Sequence, residues 1–142
     1  MTVRVERTFD LDAAPEAVWA FIADPRKRAE PISVVDEFEE TGEGTATWHV
    51  KLPIPLINRT ATVETRETDV EPPEYVRFVG RSKVMRVVGE HELVLHENGT
   101  RLVNRFTVDG KLPGVEKYFE RNLDGELDNL EAALRRELAT TE

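Results

Sequence analysis

The feature that most constrains this chain is a change of hydrophobic period at Gly110. From residue 33 to Asp109 apolar and polar residues alternate at period two almost throughout, the pattern of half-buried strands. Beyond Gly110, Val115, Phe119, Leu123, Leu127, Leu130, Leu134 and Leu138 form one stripe at helical spacing. Glu116 and Glu120 stand early in it and Arg135-Arg136 late, as the helix dipole prefers. The spacing predicts one helix over 113–138, with Gly125 as an internal weak point of about 1 kcal/mol relative to alanine.

Ahead of that switch, residues 3–11 alternate as a strand. Pro15 then sits in the first turn of a helix whose apolar side is Ala14, Val18, Phe21 and Ile22, widened by Trp19. Asp24-Pro25 closes it and opens a short second helix that Pro31 stops. Six further strands are expected at 33–40, 44–52, 59–70, 75–81, 86–97 and 100–109. Asn98-Gly99 between the last two reads as a type I′ hairpin turn with both residues at positive φ. The implied architecture is α+β: a seven-stranded curved antiparallel sheet wrapped around the long C-terminal helix, with two short helices after the first strand. That helix alone cannot fill the concavity, and the remaining space becomes an apolar pocket.

The length of 142 residues fits a single domain spanning 1–142. The absence of cysteine excludes disulfides, thiolate zinc sites, iron–sulfur clusters and a cysteine nucleophile. A net charge of −9 and a pI near 4.9 oppose binding to nucleic acid or anionic lipid surfaces. No apolar run approaches the roughly 20 residues of a membrane span, and the first residues lack the apolar core of a signal peptide, so a cytoplasmic protein without membrane insertion is expected. Only 5 of the 19 basic residues are lysine. Acid excess with little lysine suits a salt-adapted, halophilic protein, with an ordinary acidic protein as the alternative.

Ala13-Ala14-Pro15-Glu16-Ala17-Val18-Trp19 followed by Asp24-Pro25 resembles the opening of the START-like, or SRPBCC, helix-grip superfamily. Further matches are Asp69-Val70-Glu71-Pro72-Pro73 before a strand, Asn98-Gly99-Thr100-Arg101-Leu102 at a hairpin, and Leu130-Glu131-Ala132-Ala133-Leu134-Arg135 in the last helix. Polyketide cyclase/dehydrase-like and carbon monoxide dehydrogenase subunit-like members are the most similar. The resemblance covers the whole chain and implies a pocket for lipids, polyketides or other hydrophobic molecules. It carries no catalytic residue over, because the enzymes of this superfamily place their acid/base groups at scattered pocket positions.

Alternation then selects the residues that can meet. Trp48 and Val50 share a face, as do Gly89, His91, Leu93 and Leu95, and Asn104 and Phe106; Val63 and Phe78 join them from neighbouring strands. With Phe119 and Leu123 from the helix, these make Trp48, Val50, Val63, Phe78, His91, Leu93, Asn104, Phe106, Phe119 and Leu123 the expected walls of a hydrophobic-ligand site. His91 suits a general acid/base or a ligand-binding group, or is a hydrogen-bonded core residue. Asn104 needs a partner, from protein or ligand. Glu67 continues the face of Ala61, Val63 and Thr65, but a bulge in its long strand would turn it to solvent, which is the expected orientation. Arg26-Lys27-Arg28 reads as an exposed basic turn.

His91 and His96 point to opposite faces and no helix carries a histidine pair, so no metal and no cofactor are expected. Ser33 and Ser82 lack a nucleophile-elbow context, and no glycine-rich phosphate loop is present. Three functions fit: a binder or carrier of a hydrophobic small molecule, a cyclase, dehydratase or isomerase using the same cavity, and an accessory or chaperone-like protein of another complex.

Overall fold

The computed structural model describes residues 2–54 and 61–140. Its elements run β1 (Thr2–Leu11), α1 (Pro15–Ile22), α2 (Pro25–Ala29), β2 (Val35–Gly42), β3 (Thr45–Val50), β4 (Ala61–Glu71), β5 (Tyr75–Arg81), β6 (Met85–His96), β7 (Gly99–Gly110) and α3 (Val115–Thr140). The strands form one antiparallel sheet in the order β1-β7-β6-β5-β4-β3-β2. Each of β2 to β7 therefore pairs with its sequence neighbour, and only β1 crosses to the far edge, a connection that α1 and α2 make. Residues 59–60, expected to begin the fourth strand, lie outside the described residues.

The helix α3 is unbroken and buries Val115, Phe119, Leu123, Leu127, Leu130 and Leu134 against the sheet. Polar contacts hold it in place at both ends of the first strand's path: Arg7 on β1 reaches Asp128 at 2.7 Å, Arg135 donates to the Asp10 carbonyl at 3.1 Å, and Lys27 on α2 meets Glu137 at 2.9 Å. These pairs are partly exposed and individually weak. They nonetheless set the direction in which the helix crosses the sheet.

Register explains the shape of the inner face. Glu67, Phe78, Gly89 and Phe106 are successive partners across four strands, and Val76, His91 and Asn104 form the adjoining row. A Cβ at Gly89 would overlap Cε1 of Phe78, so the Phe78 ring lies over the glycine and lowers the floor of the sheet there. The bulge in β4 falls between Glu67 and Asp69, after Glu67 rather than before it. Glu67 consequently keeps the inward parity of Val63 and Thr65, contrary to the solvent-facing expectation, and its charge is met by Arg28.

Two further expectations are corrected. In the β6–β7 hairpin His96 pairs with Gly99, so the turn residues are Glu97 and Asn98, and Glu97 rather than Gly99 takes positive φ, at 52°. Gly99 is needed for another reason: a Cβ there would overlap the Leu11 carbonyl oxygen. Leu95 has the inward parity but is 77% exposed, because the hairpin projects past the part of the sheet that is covered.

Candidate functional site

Between the inner sheet face and α3 lies a cavity walled by side chains from α2, the segment after it, β2, β3, β5, β6, β7 and α3. The space between its walls is about 630 Å³, of which about 50 Å³ is wide enough to hold the centre of a water-sized sphere. It is thus a narrow, deep slot rather than an open bowl. One water needs about 10–15 Å³ measured in that way, so the widest part takes a few waters' worth of ligand without any side-chain movement.

Seven of the ten residues expected to wall a ligand site line it: Trp48, Val50, Phe78, His91, Phe106, Phe119 and Leu123. The other three do not. Val63 is fully buried beneath Trp48, its register partner. Leu93 pairs with Leu102 one row beyond His91, towards the end of the sheet that carries α1. Asn104 stands behind His91 and spends its side chain on protein partners: Oδ1 lies 2.8 Å from His91 Nδ1, and Nδ2 donates to the Arg7 carbonyl at 3.1 Å. Trp19 lies outside the cavity and packs against the core.

The aromatic part of the wall is continuous. The Phe78 ring centroid is 5.7 Å from that of Trp48, 6.4 Å from that of His91 and 6.3 Å from that of Phe106. Phe106 in turn meets His91 edge-on at 5.6 Å. Such tilted and edge-to-face contacts hold rings in place more firmly than area burial alone.

Two polar residues that the alternation pattern did not single out also line the cavity. Arg28, read as part of an exposed basic turn, is only 6% exposed. Asp24 caps α2 through a bond from the Arg26 amide, and the short helix so begun turns Arg28 and Ala29 inward. Arg28 donates from Nη1 to the Ile22 carbonyl at 2.9 Å and from Nη2 to Glu67 at 3.0 Å, with its Cζ 5.1 Å above the centre of the Phe78 ring. Glu126, 3% exposed on α3, accepts from the Ser33 amide and hydroxyl at 2.9 and 2.7 Å and from Asn129 at 3.0 Å. It ties the segment carrying Ile32 and Val34 to the helix and so closes one side of the slot. The available signals were faint: an acid three residues after Leu123, beside the apolar stripe, and an arginine next to a small apolar residue.

Electrostatics fix the state of His91. Complete burial pushes its pKa down to about 3, the nearby Arg28 charge lowers it further, and the Asn104 hydrogen bond opposes both. The ring is neutral at physiological pH. Because Asn104 turns its oxygen to Nδ1, the proton sits on Nδ1 and Nε2 carries a bare lone pair. Both His91 Nε2 and Arg28 Nε are buried without a hydrogen-bond partner among the described residues. Burial also lowers the Arg28 pKa, against the raising influence of Glu67.

For metals, the only group the described residues bring together is Glu37, Glu39 and His49, whose ligand atoms lie within 4.8 Å of one another on the outer face of β2 and β3. Both acids are exposed and the group is remote from the cavity. Among the described residues no helix is long and apolar enough to cross a membrane.

A curved antiparallel sheet gripping one C-terminal helix around an apolar slot defines the helix-grip class. The chain belongs to the polyketide cyclase / dehydrase and lipid transport family, which it matches over residues 2–135. Among solved structures it is similar to a conserved protein from Geobacillus kaustophilus, with 16% identity, a TM-score of 0.74 and coverage of 98% of this chain and 97% of that one. It is also similar to the Zhui aromatase/cyclase from Streptomyces sp. R1128, with 19% identity, a TM-score of 0.72 and coverage of 97% and 96%. A protein from Thermus thermophilus matches at 21% identity and a TM-score of 0.71, with both chains covered completely. At these identities the likeness is one of fold. No match was found among curated proteins.

Proposed function

We propose that this protein binds an apolar small molecule in the slot between sheet and α3, and serves as its carrier or receptor. The observation that carries this reading is the wall itself: Trp48, Val50, Phe78, Phe106, Phe119 and Leu123 enclose a cavity in which His91 Nε2 and Arg28 Nε have no protein partner among the described residues. Apolar enclosure with a few polar groups is the usual composition of a small-molecule site. Val63, Leu93 and Asn104 support that wall from behind. The lipid-transport part of the family description agrees with this reading.

The family description and the neighbouring aromatase/cyclases favour a second reading, an enzyme of the cyclase or dehydratase type acting in the same slot. The electrostatics of His91 weigh against it. A base whose conjugate acid has a pKa of about 3 has little driving force to remove a proton near neutral pH, where general bases work best with pKa values close to the medium.

Native mass spectrometry of freshly purified protein tests the proposal. The expected result is a bound apolar compound that is released unchanged on unfolding. Release of a chemically altered compound after a defined one is supplied favours the enzyme, and a protein that takes up no apolar compound at all contradicts both readings.

A further inference from the structure

We propose that the slot selects an apolar molecule bearing a neutral hydroxyl, a phenol or enol, that donates its hydrogen bond to His91 Nε2, in preference to a carboxylate or an ether of the same shape. This rests on the binding reading above and adds the chemistry of the ligand's polar end.

Two buried atoms set the requirement. His91 holds its one proton on Nδ1, where Asn104 Oδ1 accepts it at 2.8 Å, so Nε2 can only accept. A ligand group placed against it must bring a proton. Carboxylates, ketones and ethers bring lone pairs alone, and opposing lone pairs in a desolvated slot repel. Among the described residues Arg28 is the only cation on the cavity wall, and Glu67 already matches its charge at 3.0 Å. An anionic ligand would therefore enter beside a neutralised guanidinium, with Glu67 and Glu126 as the nearby charges of like sign. What Arg28 still offers is its Nε–H, a donor for an oxygen of the same molecule. A hydroxyl suits both atoms, since it gives one hydrogen bond and accepts another. The rings of Phe78, Phe106 and Trp48 around these two atoms favour a flat, unsaturated body on the hydroxyl.

Calorimetric titration with four matched probes tests this: naphthalene, β-naphthol, its methyl ether, and β-naphthoate. The wild-type protein is expected to bind β-naphthol about tenfold more tightly than naphthalene or the ether, the effect of one well-made buried hydrogen bond. β-Naphthoate should be the weakest of the four. In His91→Phe the β-naphthol preference should shrink to about twofold while naphthalene still binds. Equal binding of β-naphthol and naphthalene, tightest binding of β-naphthoate, or a preference that survives His91→Phe overturns the proposal and leaves the apolar-binder reading standing. Failure of all four to bind overturns both. If His91→Phe does not fold, the nitrogen NMR signal of His91 in the wild-type protein decides. The Nε2 resonance should shift with β-naphthol and stay in place with naphthalene, and an unmoved resonance with β-naphthol overturns the proposal.

Discussion

His91 Nδ1 stands 2.8 Å from Asn104 Oδ1, and Asn104 Nδ2 donates in turn to the carbonyl of Arg7, so a hydrogen-bonded line runs from β6 through β7 to β1. The three residues are register partners in adjacent strands. Asn104 is the member that orders the line, because its two ends differ in hydrogen-bonding sense and fix which ring nitrogen keeps the proton. The lone pair left on Nε2 is thus determined two strands away, at the edge of the sheet.

The first prediction concerns pH. The folded-state pKa of His91, about 3, lies below the ordinary value of 6.5, so the unfolded chain binds the extra proton first. The stability contributed by a neutral buried ring is fully present above about pH 6.5 and is lost as pH falls from there toward about 3, with a slope of up to about 1.4 kcal/mol per pH unit. Urea unfolding between neutral pH and pH values near the lower limit should show a shallower decline for His91→Phe than for wild type. Parallel declines would mean that the histidine titrates normally in the folded protein.

The second concerns Arg28. Removing one partner of a buried pair leaves the other uncompensated, and Arg28→Met also strips a donor from the Ile22 carbonyl. A loss of about 3–5 kcal/mol is expected from urea midpoints, reduced substantially when Glu67→Met is added. Independent, additive losses from the two substitutions would show that the pair at 3.0 Å is energetically uncoupled.

The order of elements was legible in the sequence because each was announced by a local signal: period two for the strands, period 3.6 after Gly110, and proline at the starts of α1 and α2. Alternation also placed the strand candidates for the wall on the correct face. It could not tell how far along that face each one sits, and so Val63, Leu93 and Asn104 were grouped with residues that line the slot. The place of the β4 bulge, just after Glu67, depends on cross-strand pairing and has no signature in the strand itself. Arg28 and Glu126 escaped for a related reason. A charged side chain reads as solvated until its partners, Glu67 for one and Ser33 for the other, are brought to it by the fold.

The third prediction concerns salt. A net charge of −9 opposes compaction when screening is weak. The ion pairs at the surface, such as Arg101 with Asp10 and Arg135 with Glu131, are partly exposed and lose little when screened. The melting temperature should therefore rise from low to molar potassium chloride. A flat or falling curve would mean that these local pairs outweigh the general repulsion, and would reject salt adaptation.

The measurement that bears most directly on the binding site uses the cavity's own tryptophan. In a Trp19→Phe protein, Trp48 is the remaining indole, and it lines the slot. An apolar, environment-sensitive fluorescent probe should quench Trp48 on binding. Adding Leu123→Trp, which fills the slot from α3, should weaken probe affinity by about tenfold or more, for a loss of roughly 1.4 kcal/mol. Val94→Trp, on the exposed outer face, should leave affinity unchanged once Trp fluorescence is corrected for the added indole. Both variants would first be shown to melt cooperatively. Weak binding in the Leu123 variant alone is the result predicted; undiminished binding there, or loss in the Val94 variant instead, would place the ligand somewhere other than between the sheet and α3.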